Sequence, residues 1–125
     1  YLIAQVKENN TEKKDEKAIQ EQYLKDAIIF ISQNYSHQIS IEDIAKHTGI
    51  SRKYLCTLFK DFLNITTQQY LINHRLEKAC QLLKNKNLSI TEVAFSVGYE
   101  NSLVFSKAFK KNKGIPPSKY RKDML

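Results

Sequence analysis

Ser40-Ile41-Glu42-Asp43-Ile44-Ala45-Lys46-His47-Thr48-Gly49 returns later in the chain as Ser89-Ile90-Thr91-Glu92-Val93-Ala94-Phe95-Ser96-Val97-Gly98. The two stretches agree at a capping residue, a first apolar residue, an acid, a β-branched residue, an alanine and a glycine. Each leads into a second amphipathic run, Tyr54-Leu55 with Leu58-Phe59-Lys60 and Val104-Phe105 with Ala108-Phe109-Lys110. The pattern is a helix, a tight turn and a helix, written twice.

The residue types say why the pattern works. Ser40 and Ser89 are of the type that caps a helix N-terminus, and Glu92, three residues after Ser89, completes a capping box; Ser40 with Asp43 is a weaker version. Ala45 and Ala94 fall where the paired helices would cross, and a small side chain there permits close approach. Gly49 and Gly98 end the first helix of each unit at a position that favours positive φ.

Working outward, the chain has 125 residues, 42% of them hydrophobic, enough for one domain or slightly more with a real core. Residues 1–22 hold four lysines and five acids out of the chain's 20 basic and 13 acidic residues, so the rest carries a net charge of +8. Such an excess on a small domain points to a polyanion, most often nucleic acid. No apolar run approaches the length of a membrane span and no signal peptide is visible. Cys56 and Cys80 lie in different predicted helices without a CxxC partner, as in a reducing cytoplasm. His37, His47 and His74 have no metal-pair spacing, and no phosphate loop or nucleophile motif occurs. No sequence feature supports an enzyme, a metal or a cofactor.

Residues 1–17 read as a linker or the end of a preceding domain. Tyr1, Leu2, Ile3 and Val6 suggest a last turn of that domain, and Lys7 to Glu16 is charged and aperiodic. The first residue is not Met, which points to a piece of a longer protein. From about residue 18, Leu24, Ala27, Ile28, Ile31 and Tyr35 trace a helical stripe. Helices are expected near 41–47 and 51–63. A connecting helix opens at Thr66 with Gln69 as a capping box, carries Ile72, Leu76, Ala79 and Leu83, and runs to about residue 84, roughly 27 Å. Helices near 90–97 and 102–112 follow, and Gly114 with Pro116-Pro117 opens a short last helix through Tyr120. No segment alternates at period two. The expected fold is all-α, with seven helices and two helix-turn-helix units joined by a long connecting helix.

These residues resemble the DNA-binding domain of AraC/XylS-type transcription regulators from about Leu24 to Lys122. The matches are Ile44-Ala45, Gly49, Ser51, Tyr54-Leu55, Phe59-Lys60, Arg75-Leu76, Ala79 and Leu82-Leu83 in the first part. Ile90, Val93-Ala94, Gly98-Tyr99, Phe105, Phe109-Lys110-Lys111, Gly114, Pro117 and Tyr120-Arg121 complete them. The resemblance implies double-stranded DNA as partner, bound in successive major-groove segments, with domain bounds of 18–125. It also implies a cytoplasmic regulator, usually an activator, that contacts RNA polymerase and can dimerise through an N-terminal domain missing here. The polar leader is similar to the segment before the DNA-binding domain in AraC-type two-component response regulators.

Laid out at 100° per residue, the third helix sets Tyr54, Leu55, Leu58, Phe59 and Phe62 inward and Lys53, Cys56, Thr57 and Lys60 outward. By this geometry and by family position Arg52, Lys53, Cys56 and Thr57 are the candidate base readers, with Lys60 suited to phosphate. In the sixth helix Val104, Phe105, Ala108 and Phe109 are expected inward, with Leu103, Ser106, Lys107 and Lys110 outward and Ser102 at the border. Ser102, Leu103, Ser106 and Lys107 are the matching base-reading candidates, and Lys110 and Lys111 suit the backbone. Leu103 departs from the small polar residue usual in the family, and Val104 replaces the commoner aromatic. Arg75 is open to two readings, a structural ion pair or a phosphate contact. A basic helical protein-interaction module and a non-specific nucleic-acid-binding module are the competing functions; the inward placement of the repeats' aromatics weighs against single-stranded RNA.

Overall fold

The computed structural model describes the backbone of residues 2–124 and the side chains of residues 12–124. Seven helices make up the described chain, and no strand occurs among the described residues. They are α1 (Leu2–Asn34), α2 (Ile41–Thr48), α3 (Arg52–Leu63), α4 (Thr67–Leu82), α5 (Ile90–Ser96), α6 (Ser102–Lys113) and α7 (Pro117–Met124). None of the described helices is long and apolar enough to cross a membrane.

The first difference from expectation is the start of α1, which runs from Leu2 through the composition change near residue 17. Lysine, glutamate and glutamine favour helix without any apolar stripe, so a charged aperiodic segment can still be helical. The side chains of residues 12–19 are all exposed, and burial begins only beyond them. The reading of Tyr1, Leu2, Ile3 and Val6 as the frayed last turn of a preceding domain lies outside the described side chains.

Two cores divide the domain. The first joins Leu24, Ala27 and Ile31 of α1 to Ile41, Ile44 and Ala45 of α2, Leu55 and Phe59 of α3, and Leu71 of α4. The second joins Leu76, Ala79, Cys80 and Leu83 to Val93, Ala94 and Val97, and to Phe105 and Phe109 of α6. The connecting helix is thus a wall shared by both cores, its N-terminal turns in the first and its C-terminal turns in the second. At 16 residues it is about 24 Å long.

Local chemistry fixes where each helix starts and stops. Ser40 and Ser89 both form complete capping boxes, so Asp43 does the same work as Glu92 despite its shorter side chain. The backbone N–H of each serine holds the acid's pKa below the usual carboxylate range, with the serine side chain adding to it. Thr66 accepts from the Gln69 backbone as expected, but the Gln69 side chain donates forward to Asn73 at 2.7 Å and leaves the box half made. Gly49 and Gly98 have φ of 79° and 99°.

Candidate nucleic-acid interface

The second helix of each unit offers an outer face that its inner face defines. Leu55, Leu58 and Phe59 are buried on α3 and turn Arg52, Lys53, Thr57 and Lys60 to solvent. Arg52 lies 3.7 Å from Glu42 in an exposed ion pair, a contact weak enough to exchange for another anion. The Thr57 hydroxyl donates back to the Lys53 carbonyl at 3.0 Å, leaving its methyl and its lone pairs outward.

Cys56 departs from the expected outward placement. It is half-buried at the rim of the first core, and the Thr67 hydroxyl donates to its Sγ at 3.7 Å. One step around the helix from Leu55, it meets the first turn of α4, an element the helical wheel does not contain. The exposed outer face of α3 is therefore Arg52, Lys53 and Thr57, with Lys60 further along the helix.

On α6 the face is rotated from the expected one. Phe105 and Phe109 are fully buried and centre the inner side, and Ser102 and Ser106 are half-buried beside them. Leu103, Lys107, Lys110 and Lys111 are exposed, as expected. Val104, expected inward, is 55% exposed. Its counterpart in the first unit, Tyr54, is long enough to reach the Tyr23 ring of α1, edge to face at 6.2 Å; a valine at this angle is too short to reach any core. Asn101 caps α6 by accepting from the Leu103 and Val104 backbone N–H groups, a role its residue type and place before Ser102 could have signalled. The far end of α6 is tied to α4 by Asn112 donating to Asn73 at 3.0 Å and by the Lys113–Glu77 ion pair.

Arg75 fits neither sequence reading. It is 8% exposed, and it has no carboxylate partner among the described residues. Its Nε donates to the Tyr35 carbonyl and a terminal nitrogen to the His37 carbonyl, both at 2.9 Å. Burial draws its pKa down and the charge of the Tyr99 phenol partly offsets this; the guanidinium carbon also lies 5.7 Å from the Tyr99 ring centroid. The guanidinium thus pins the turn just past the C-terminal end of α1, where the helix dipole favours a cation. Gln38 closes the same seam by donating to the Gly98 carbonyl at 2.6 Å. A Cβ at Gly98 would lie 2.3 Å from the Tyr35 carbonyl oxygen and 2.9 Å from Arg75 Nε. The α1–α2 turn, α4 and the turn of the second unit therefore meet at one polar joint.

A helix-turn-helix domain family model matches residues 44–123. The raffinose operon transcriptional regulatory protein RafR of Pediococcus pentosaceus is 43% identical over 98 residues, 78% of this chain and 35% of the relative. A solved transcriptional regulator of Chromobacterium violaceum, described as an AraC-type DNA-binding domain-containing protein, superposes with a TM-score of 0.75 at 30% identity. That match covers 81% of this chain and 90% of the other. The chain belongs to the AraC/XylS-type helix-turn-helix family. The C-terminal domain of AraT, a response regulator of Geobacillus stearothermophilus, matches at TM-score 0.77 and 35% identity, over 80% of this chain and 84% of that one. The chain spans about a third of the length of RafR and of two further operon regulators that it matches at 40% identity.

In this AraC/XylS-type domain the repeat extends further than the opening motif. Ile65-Thr66-Thr67 and Tyr70 stand in register with Ile115-Pro116-Pro117 and Tyr120. Phe59 packs edge to face on Tyr70 at 5.3 Å, and Phe109 on Tyr120 at 5.4 Å. The short helix α7 is thus the second unit's counterpart of the start of α4. Arg121 on α7 also donates to the Leu83 and Asn85 carbonyls past the end of α4, as Arg75 does past the end of α1. The proline pair had hidden this correspondence, because it reads first as a chain break.

Proposed function

We propose that this chain is the sequence-specific, double-stranded-DNA-binding module of a transcription regulator, reading two successive major-groove segments with α3 and α6. The observation that carries the reading is that two units of one design each expose the first turns of their second helix. The residues displayed are Arg52, Lys53 and Thr57 in one unit and Leu103 and Lys107 in the other. Ser102 and Ser106 border the second face and can donate to bases once a groove closes on it. Cys56 is left to the α3–α4 contact. Lys60, Lys110 and Lys111 pair with phosphates and set register.

A joint built on Arg75 makes the two helices one rigid reader, so half-sites should lie about one helical turn apart on one face of the duplex. The parent is a cytoplasmic regulator, an activator acting with RNA polymerase, with residues 1–17 linking to a preceding domain that dimerises. An AraC-type two-component response regulator is a reasonable parent, supported by the likeness to the solved AraT domain, the C-terminal part of a response regulator.

Selection from a random duplex pool, followed by a salt titration, tests the reading. A defined sequence should emerge, and affinity should fall steeply with salt as phosphates are neutralised and counterions released. Inserting five base pairs between the half-sites should remove most of the affinity. Salt-insensitive binding, or recovery of no sequence, overturns the proposal.

A further inference from the structure

On the first turn of α6, Leu103 is 70% exposed and Val104 55% exposed, two adjacent apolar side chains at the leading edge of a recognition helix. The matching positions in the first unit hold Lys53 and a half-buried Tyr54. Single exposed apolar residues are ordinary on a protein surface. This pair differs from that background by its place and by its frame. Lys107 lies one turn below both on the same face, and Lys110 and Lys111 follow. An apolar tip flanked by cations is matched by a major-groove floor of methyl groups walled by phosphates. A second copy of the same patch would bring like charges together instead.

Resting on the reading of α6 as a recognition helix, we propose that Leu103 and Val104 read thymine, through the C5-methyl groups of one or two neighbouring thymines in the second half-site. Among the four bases only thymine presents a methyl in the major groove. Neither side chain has a hydrogen-bonding group, so neither can distinguish bases by donor and acceptor pattern. The two half-sites then differ in kind. The first is read by Arg52 and Lys53, which suit the acceptor pair of guanine, and the second has an apolar step.

The test uses the intact chain and the duplex it selects. Each thymine of that duplex is replaced singly by deoxyuridine, which keeps Watson–Crick pairing and the O4 acceptor and removes the methyl alone. Affinity should fall about fourfold, the worth of one buried carbon group, at one or two adjacent positions in one half of the site. Leu103→Ala should abolish the deoxyuridine penalty at one of these positions and Val104→Ala at the other, whereas Leu103→Met should retain it. Both residues are exposed and alanine is the better helix former, so circular dichroism should report an unchanged fold. Uniform tolerance of deoxyuridine in a duplex that is still selected and bound overturns this inference and leaves the DNA-binding reading standing. A penalty unchanged in both alanine variants overturns it too, since other side chains would then be reading the methyls. If no sequence is selected at all, both readings fall together.

Discussion

The two units share a design and differ at their turns. Gly49 and Gly98 both take positive φ, but a Cβ on Gly49 would meet nothing within 4 Å, whereas one on Gly98 would strike the Tyr35 carbonyl and Arg75. The first glycine serves only its own helix hairpin. The second also admits the end of α1 and the α4 guanidinium, so one residue type in one motif carries two different physical demands. The lesson is that a repeat in sequence sets equal local geometry and leaves the surroundings free to diverge.

The largest expected effect separates those two glycines. Gly49→Ala should cost about 1 to 2 kcal/mol, the strain of a left-handed non-glycine residue. Gly98→Ala should cost more than 3 kcal/mol, because backbone cannot retreat from a 2.3 Å contact. Urea denaturation measures both, and equal losses would break the comparison.

Arg75→Met comes next. It keeps most of the stem but leaves the Tyr35 and His37 carbonyls without their charged donor, and about 2 to 3 kcal/mol of stability should go. The more telling measurement is half-site spacing. In the folded variant, duplexes with one or two inserted base pairs should be bound nearly as well as the selected one, because the joint no longer holds the units in one orientation. Arg75→Lys should fail to restore either property, since a single ammonium cannot reproduce the guanidinium fork. Unaltered spacing preference would mean that the shared cores alone orient the units.

Lys60→Ala and Lys110→Ala occupy matching places on α3 and α6, and each should lower the slope of log affinity against log salt by about one, weakening all sequences alike. A change for Lys110 without one for Lys60 would show that only the second unit engages phosphate. The smallest effect is expected from removing residues 1–16. The side chains described there are all exposed, so stability and affinity should stay within experimental error by calorimetry and by duplex titration. Loss of folding would show instead that the charged start of α1 belongs to the domain.

Sequence alone determined the repeat, the helix count, the two serine capping boxes and the buried centre of each recognition helix, because these follow from periodicity and from chemistry within a few residues. Ser40 with Asp43 and Ser89 with Glu92 act on their own backbones, and Phe59 and Phe109 need only helical spacing to face inward. Most exposed members of the candidate site were legible for the same reason: a buried stripe defines its opposite. The tertiary structure alone decided whatever depended on a neighbouring element. Cys56 turns toward Thr67 because α4 begins there, and Val104 is largely exposed because a valine is too short to pack as Tyr54 does on Tyr23. Arg75 is neither an ion pair nor a phosphate contact, because the turn after α1, forty residues earlier in the chain, brings it backbone carbonyls that no local pattern announces.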